Sequence, residues 1–533
     1  MIWPTNRIAT LVMGAALVWG AGLHAGRAAE WAGMANSGAA DRGFPQYAEG
    51  SATGFPVPQV LNEADAERYA AAYAMQNQGD WRGADRAIAA IQDRMLVGSL
   101  LAQRYLSPRY KATLAELRAW LEAYSGEPEA HAVWKLARHK SPRRASSLPR
   151  PETGAEAAAD EDRGYTARLP AEPAIANLQP PSRYTAGLRA WRNRDFSTAA
   201  QDFESVARSS VGGWYVAAGA FWAARTHLVM RQPEQVDPWL EIAANQPRTF
   251  YGLLAHRMLD EDDSGTQFGP QPVSEKEENL LKALPGGRRA LALVQIGETD
   301  RAEAELRALA VKASAARANA IVALADITQM PGLCMELGPR VSDVRRRVDA
   351  LYPVPRWRPR EGYTIDRALM FALMMQESNF DAEAESGSGA AGLMQLMPQT
   401  AREVARNSGI RLRHISDLVD PELNLSLGQQ FVRQLLSHQD VHGNLILMLA
   451  AYNGGSAPLE RWHNAPQYRD DPLLFVESLP RQETRLYVER VLTNMWIYRE
   501  RLRQPAPDLD ELAENHWPIY VSLNSGMVSD AVH

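Results

Sequence analysis

The sequence has a single cysteine and no excess of basic residues. Cys334 is the only cysteine in 533 residues, so neither an intramolecular disulfide nor a cysteine-rich zinc site can form. There are 57 Lys and Arg against 63 Asp and Glu, a formal net charge of −6, which argues against bulk nucleic-acid binding. A chain without disulfides has to be stabilised by the packing of its secondary structure.

Two common kinds of ligand site are also missing. No glycine-rich phosphate-binding loop follows a predicted strand. The histidines His414, His438, His442 and His463 have no cysteine near them, and only His438 and His442 are spaced i, i+4 as two ligands on one helix face would be. Surface histidines are the better interpretation, and the sequence predicts neither a metal nor a cofactor.

Long apolar runs are scarce, and one of them lies at the N-terminus. Arg7 precedes the uncharged run Ile8 to Leu23, and Gly26 and Ala28 are small residues of the kind found at a signal-peptidase site. We expect a cleaved signal peptide over residues 1–28 and a periplasmic protein. The alternative is an uncleaved anchor, although the run is short of the roughly 20 apolar residues of a full span. No cysteine lies nearby, so a lipoprotein anchor is excluded, and any membrane contact is peripheral.

Convincing strand patterns are absent, and helical periodicity dominates from Asn62 to about His139 and again from Arg183. Short polar turns precede small residues at Gly79-Asp80-Trp81, Arg194-Asp195-Phe196 and Gly297-Glu298-Thr299. This pattern is typical of stacked helix pairs of the tetratricopeptide kind, with an unspecialised all-α domain as the alternative. The fold class predicted is all-α.

Composition changes along the chain predict its division into regions. A proline- and arginine-rich segment, Pro353 to Arg360, cannot continue a helix and marks one boundary. The predicted regions are a signal peptide (1–28), a poorly ordered segment (29–60), a helical repeat region (61–140), a flexible linker or loop (141–182), a helical superhelix region (183–355), a catalytic domain (356–504) and an unassigned C-terminal tail (505–533).

A buried helix is predicted just after that boundary. The stretch from Ala368 to Met375 is apolar at every position, so the helix has no wet face. Glu377 follows it. Poor hydration and the negative end of the helix dipole both favour a protonated carboxyl there, which is the state a general acid needs. The alternative is that Gln376 to Ser378 form only a polar helix end.

A tight loop follows the helix. Gly387, Gly389 and Gly392 interrupt the chain before an apolar run to Met397, and Pro398 restarts a helix. We expect this loop to bring three side chains beside the end of the first helix, namely Ser386, Gln395 and Met397.

Three motifs occur in order: the Glu377-Ser378 pair with the string Ala384 to Pro398, the turn AAYNGG at Ala450 to Gly455, and FVESLPRQETRLYVERVL at Phe475 to Leu492. Over Tyr363 to Arg501 the chain resembles the soluble, Slt-type lytic murein transglycosylases. The resemblance implies a lysozyme-like, mainly helical catalytic domain that docks against a curved or ring-shaped superhelix.

The resemblance also implies a reaction on peptidoglycan. Glu377 would protonate the oxygen linking N-acetylmuramic acid to N-acetylglucosamine, then take the proton of the muramoyl O6 hydroxyl as O6 attacks C1, giving 1,6-anhydro ends without consuming water. Most glycosidases use two carboxylates. No acid occurs between Glu385 and Glu403, and Asp381, Glu383 and Glu385 read as solvated loop acids. A mechanism with one carboxylate therefore fits better.

By the same resemblance, seven residues are assigned to substrate binding: Ser386, Gln395, Met397, Tyr452, Asn453, Glu483 and Tyr487. The ring of Tyr452 could lie over a sugar face, with a plain helix C-cap as the alternative for its Tyr-Asn-Gly-Gly turn. Glu483 and Tyr487 are one helical turn apart and share a face. Glu477 stays open as a replacement for Glu483.

The predicted partners are peptidoglycan glycan strands, and other cell-wall enzymes stay open as further partners. Two alternatives compete with the transglycosylase. One is a hydrolase on the same scaffold, like goose-type lysozyme. The other is a helical scaffold that binds glycan without cleaving it.

Overall fold

The computed structural model describes residues 55–141, 148–151, 179–259, 268–269, 271–311, 313–456 and 470–523. The predicted signal peptide lies outside these residues, as do most of the segment 29–60 and most of the predicted linker 141–182. The all-α prediction is confirmed for the described part of the chain, in which the only strand-like features are isolated β-bridges. None of its helices is both long and apolar enough to cross a membrane.

The chain forms two compact units, each built from separate stretches of sequence. We call the first the helical unit (described residues of 55–151 and 268–356) and the second the site unit (described residues of 179–259 and 357–523). The predicted ranges 61–140 and 183–355 are each continuous in sequence, whereas the contacts divide the second range between the two units at residues 267 and 268.

The helical unit contains eleven described α-helices: α1 Glu63–Gln78, α2 Trp81–Ala90, α3 Val97–Leu106, α4 Leu114–Tyr124, α5 Ala130–Lys140, α11 Glu275–Ala283, α12 Pro285–Gln295, α13 Thr299–Ala310, α14 Ala315–Ile327, α15 Pro331–Leu337 and α16 Val344–Leu351.

Helix pairs joined by glycine turns build this unit. Gly79 ends α1 in the left-handed conformation (φ 85°), and the side chain of Asp80 then caps α2. Gly297 (φ 83°) makes the corresponding turn between α12 and α13. Two of the three predicted helix–turn–helix positions are therefore helix pairs of this unit.

One apolar core joins its two stretches of sequence. The side chain of Gln295 in α12 accepts hydrogen bonds from the backbone N–H groups of Val60 and Leu61 at 3.1 and 3.0 Å, across more than 230 residues of chain. Fully buried members of the core come from both stretches: Tyr69, Tyr73, Leu96, Leu100, Leu291, Leu306, Ile321 and Leu324.

The site unit contains twelve described α-helices: α6 Ser182–Arg192, α7 Phe196–Ala207, α8 Gly213–Val229, α9 Val236–Ala244, α10 Phe250–Met258, α17 Arg367–Ser378, α18 Pro398–Ser408, α19 Pro421–Leu436, α20 Leu445–Gly454, α21 Pro472–Val476, α22 Gln482–Arg501 and α23 Pro507–Ala513. The third predicted turn lies here, where Asp195 caps α7 through the N–H of Thr198 at 3.2 Å. In this unit α22 contacts α10, α17 and α20.

Helix α17 is buried as its sequence predicts. Ala368 to Met374 are at most 2% exposed, which matches the apolar run. Asp366 caps its first turn by accepting the N–H of Ala368 at 2.9 Å, and Asn379 ends it in the left-handed conformation with φ 50°. The buried helix packs along α22 and delivers Glu377 at its last turn.

The C-terminal stretch, unassigned from sequence, is part of the site unit up to residue 523. Trp496 in α22 donates its indole N–H to Asp508 at 2.5 Å, and Arg499 is buried between Asp366 and Asp508. Further along, the hydroxyl of Tyr520 accepts the backbone N–H of Asp366 at 2.8 Å. The tail thus fastens the start of α17 to α22.

Candidate active site

Glu377 lies at the last turn of α17, half-buried, and one hydroxyl reaches it. Tyr487 of α22 donates its hydroxyl to Oε1 of Glu377 at 2.6 Å. Burial raises the pKa of the Glu377 carboxyl to about 7, although the bond from Tyr487 acts in the opposite direction. The carboxyl therefore exchanges its proton near neutral pH, as general acid–base catalysis requires.

The end of α17 is tied to the glycine-rich loop by the residue after Glu377. Ser378 donates its hydroxyl to the carbonyl of Leu393 at 2.9 Å and lies 3.0 Å from the carbonyl of Met374 in its own helix. Isolated bridges from Ala391 to Glu385 and to Leu396 fold the loop on itself. Gly392 (φ 76°) is required, because a Cβ there would come within 2.2 Å of the carbonyl oxygen of Leu418.

Asn424 in α19 holds the same loop, and the sequence reasoning missed it. Its side-chain oxygen accepts the N–H of Met394 at 2.8 Å, and its amide group donates to the carbonyls of Ala391 and Leu418 at 3.0 and 2.9 Å. The residue is fully buried. A buried amide needs such partners, and the signal that could have found it is a lone asparagine between the buried positions Leu423 and Leu425.

Two of the predicted substrate-binding residues serve the loop itself. Ser386 accepts the N–H of Ala390 at 2.9 Å and lies 3.0 Å from the hydroxyl of Ser388. Gln395 donates its amide to the carbonyls of Ala384 and Gly392, both at 2.9 Å. Their described bonds shape the loop beside Glu377.

Met397 differs from these two residues. It precedes α18 as its N-cap residue, and 43% of its surface is exposed. An exposed thioether beside the loop is accessible to a ligand, whereas the side chains of Ser386 and Gln395 bond to the loop backbone. Of the three predicted loop residues, Met397 has the most open side chain.

Tyr452 and Asn453 occupy the last turn of α20. The Tyr452 hydroxyl donates to the carbonyl of Met394 at 2.8 Å, and its ring lies parallel to that of Tyr487, with centroids 6.3 Å apart and planes inclined by 13°. Asn453 accepts the hydroxyl of Thr484 at 2.8 Å. Gly455 does end the helix, with φ 82°, but the two residues also bond across to other elements. Tyr452 therefore joins the loop to α22.

The third motif supplies two of the predicted residues. Tyr487 bonds to Glu377, whereas Glu483 only lies on the same helix, one turn earlier. Glu483 is exposed in the first turn of α22, one turn before Tyr487. Glu477, the alternative left open, is buried and accepts the hydroxyls of Tyr184 and Tyr251 at 2.5 and 2.7 Å. Of the two acids, only Glu483 is open to a ligand.

A second acid is not part of this arrangement among the described residues. Asp381, Glu383 and Glu385 are exposed, as expected of solvated loop acids. The shift in the pKa of Glu377 has two causes, burial and the Tyr487 bond, and neither is another carboxylate. In the same part of the chain, no group of three His, Cys, Asp or Glu could hold a metal ion.

This geometry places one protonatable glutamate, held by a tyrosine hydroxyl, in a candidate acid–base site on a helical scaffold. Residues 358–475 match the family model of the Transglycosylase SLT domain. The resemblance drawn from the motifs is thereby confirmed for this segment. Tyr487 and the tail lie beyond the matched range.

Curated relatives match the same part of the chain. The soluble lytic murein transglycosylase of Salmonella typhimurium is 35% identical over 144 residues, which cover 27% of this chain and 22% of the relative. The enzyme of the same name from Escherichia coli K12 is 35% identical over 139 residues, covering 26% and 21%. A transglycosylase of the phage PRD1 is 33% identical over 94 residues, covering 18% and 31%. The matched region thus spans less than a third of each relative.

Two solved structures align with the chain at low identity and low TM-score. The lytic transglycosylase Slt of Pseudomonas aeruginosa has 21% identity and a TM-score of 0.47, with 83% of this chain and 72% of that one covered. The 70-kDa soluble lytic transglycosylase Slt70 of Escherichia coli has 15% identity and a TM-score of 0.47, covering 87% and 100%.

Proposed function

We propose that this protein is a peptidoglycan lytic transglycosylase that cleaves the β-1,4 bond between N-acetylmuramic acid and N-acetylglucosamine. The observation that carries the proposal is the Glu377 carboxyl, held by Tyr487 at 2.6 Å with its pKa raised to about 7. It is supported by the match of residues 358–475 to the Transglycosylase SLT domain and by relatives named lytic murein transglycosylases.

Glu377 acts twice in the proposed reaction. The protonated carboxyl gives its proton to the glycosidic oxygen as the bond to C1 breaks. The carboxylate then takes the proton of the muramoyl O6 hydroxyl while O6 bonds to C1, so that the product ends in 1,6-anhydromuramic acid. Proton and oxygen balance without water, and the carboxyl returns to its starting state. A pKa near the working pH suits a group that has to act first as acid and then as base.

The surrounding residues hold the sugar while positive charge develops at C1. Met397 and Glu483 are exposed and are proposed to touch the ligand directly. Tyr452 and Asn453 are anchored at the end of α20 by their bonds to Met394 and Thr484, and they are proposed to line the ligand site. Ser386 and Gln395 are proposed to act by fixing the loop, because their side-chain bonds end on loop atoms.

Export to the periplasm is part of the proposal, because the substrate lies outside the cytoplasm. It rests on Arg7, the run Ile8 to Leu23 and the small residues at Gly26 and Ala28. N-terminal sequencing of the protein from the envelope tests it. A start between residues 23 and 30 is expected, and a start at Met1 would indicate an anchor.

The decisive experiment is digestion of purified sacculi with the wild-type protein and with Glu377→Gln, followed by mass spectrometry of the soluble muropeptides. Anhydro ends that depend on Glu377 are expected. Reducing ends in their place would identify a hydrolase. Tight binding to sacculi without any soluble product would identify a glycan-binding scaffold.

A further inference from the structure

Helix α22 (Gln482–Arg501) has two differently occupied sides within the site unit. On one side, Thr484 donates to Asn453 and Tyr487 donates to Glu377. On another side, Arg485 and Glu489 approach Glu477 and Trp214. Positions three or four apart share a helix face, so 484 with 487 and 485 with 489 form two neighbouring faces of one rigid element.

The second side belongs to a buried polar cluster, which we call the clamp, made of Tyr184, Trp214, Tyr251, Glu477, Arg485 and Glu489. All six residues are less than 9% exposed. They come from α6, α8, α10, the end of α21 and α22, so the clamp ties three helices of residues 182–258 to two of residues 472–501.

The centre of the clamp is the carboxyl of Glu477. Its Oε1 accepts the hydroxyls of Tyr184 at 2.5 Å and Tyr251 at 2.7 Å, and its Oε2 lies 3.6 Å from a guanidinium nitrogen of Arg485. Arg192 of α6 also donates to the backbone carbonyl of Glu477 at 3.2 Å. Both the side chain and the backbone of this residue are therefore held by the earlier helices.

The other acid of the clamp, Glu489, lies within α22 and joins that helix to α8. Glu489 accepts the indole N–H of Trp214 at 3.0 Å and lies 3.9 Å from Arg485. Two carboxyl groups share one guanidinium, and burial together with the charge of Glu477 raises the pKa of Glu489. Two turns further along, Trp496 stacks on Phe250 of α10 at 5.3 Å.

We infer that the clamp is a positioning device for the acid at Glu377: α6, α8 and α10 fix the rotation and height of α22, and α22 in turn holds Tyr487 against Glu377. This inference rests on the proposed function. Its physical basis is that buried charges and hydroxyls lose their bonds within a few tenths of an ångström and pay a large cost when unpaired. An apolar contact would tolerate sliding, whereas this cluster specifies one position of the helix.

The test compares Glu477→Ala with Glu477→Gln in the full chain. Each variant is assayed on soluble, uncrosslinked glycan chains of peptidoglycan, well below its own unfolding temperature. We expect kcat of the alanine variant to fall by about tenfold or more, because small misplacements of a catalytic group are costly. KM should change less than twofold, since the clamp does not touch the ligand. Glutamine, whose oxygen can accept both hydroxyls, should restore most of kcat.

A matched control lies in α8, the helix that also carries Trp214 of the clamp. Thr226 in α8 is fully buried and donates only within its own helix, to the carbonyl of Trp222 at 2.6 Å. Thr226→Val removes one buried hydroxyl, as Tyr251→Phe does, but this hydroxyl is not part of the clamp. The substitution should leave kcat unchanged. If Glu477→Ala does not fold, Tyr251→Phe, which removes one of the two hydroxyl bonds, decides instead and should lower kcat in the same way.

Backbone hydrogen exchange, measured on peptides that cover residues 482–501, reports on the stability of α22 without an activity assay. Exchange should be faster in Glu477→Ala and Tyr251→Phe, and unchanged in Thr226→Val. Folded clamp variants with wild-type kcat and wild-type exchange would overturn the inference, as would an equal loss of kcat in Thr226→Val. An inactive wild-type protein would refute the proposed function alone, and the exchange data would then decide whether the clamp holds α22.

Discussion

The hydroxyl of Tyr487 donates to Oε1 of Glu377 across 2.6 Å, although the two residues are 110 positions apart in the chain. The bond links the last turn of α17 to the first turns of α22. It also restricts the orientation of the carboxyl, because Oε1, the oxygen that accepts the hydroxyl, is held by α22. The first two predictions follow from this pair.

Glu377→Gln should abolish lytic activity and yet stabilise the fold above neutral pH. Loss of general acid catalysis alone is worth about 10²–10⁴-fold in rate. The folded-state pKa of about 7 lies above the ordinary value of 4.5, so the folded state binds the proton more tightly. Stability contributed by this group is therefore fully present below about pH 4.5 and is lost as the pH rises through 7.

Glutamine does not ionise, so the variant keeps what the wild type loses, up to about 3 kcal/mol. Thermal unfolding of both proteins between pH 4 and 9 checks this. The difference in melting temperature should be near zero at pH 4 and level off above pH 8. A constant difference across this range would contradict the raised pKa.

Tyr487→Phe should move the alkaline limb of the rate–pH profile to higher pH. The hydroxyl bond lowers the pKa of Glu377, so its removal raises that pKa further and keeps the acid protonated at higher pH. The profile of kcat on soluble glycan chains measures the shift. Tyr452→Phe is the matched control, because its hydroxyl donates to Met394 and not to Glu377. A limb that moves equally in both variants would argue against a specific effect.

Asn424→Ala should destabilise the site unit by about 3 kcal/mol and reduce activity. The change leaves the N–H of Met394 and the carbonyl of Leu418 without their side-chain partner, and each unsatisfied buried group costs about 1–3 kcal/mol. The carbonyl of Ala391 loses the amide of Asn424 but keeps the N–H of Leu396 at 3.1 Å. Denaturant unfolding measures the loss. Asn407→Ala, at an exposed position of α18, should change stability by less than about 0.5 kcal/mol. Equal effects of the two substitutions would show that Asn424 does not hold the loop.

Truncation after Gln504 should destabilise the site unit even though no residue assigned to bond cleavage is removed. It takes away Asp508 and so leaves the buried Arg499 with Asp366 alone, and breaking such a pair costs about 3–5 kcal/mol. Truncation after residue 523 is the control, because it keeps Asp508 and Tyr520. If both truncated proteins melt at the wild-type temperature, the tail is dispensable.

The sequence predicted those parts of the site that are local in the chain. An unbroken apolar run from Ala368 to Met375, with Glu377 two residues after it, is enough to foresee a buried helix and a carboxyl with a raised pKa, and both are present. The motifs also placed Tyr452 and Tyr487 near the site, but not the bond from Tyr487 to Glu377. Such a bond depends on how α17 packs along α22, which no local pattern encodes.

The contacts of residues that act through long-range packing could not be predicted from the sequence. Asn424 looks like an ordinary polar position until the loop carbonyls are seen around it. Glu477 shares a motif with Glu483, so the sequence alone leaves it open as a ligand-binding acid. Its actual partners, the hydroxyls of Tyr184 and Tyr251, lie more than 220 positions away in the chain. The tail lacked any pattern, since its contacts are single side chains and not a repeating face.

The discontinuity of the site unit has a consequence for the order in which its contacts can form. Tyr251 leaves the ribosome 226 residues before Glu477, and Tyr520 follows Asp366 by 154. Contacts of such long sequence separation form slowly and late. A nascent chain that already carries Glu377 therefore lacks the partners that hold α17 and α22 in place. The contacts that hold Glu377 in place can therefore form only after the chain as far as Tyr520 is available to fold, which for an exported chain means after translocation.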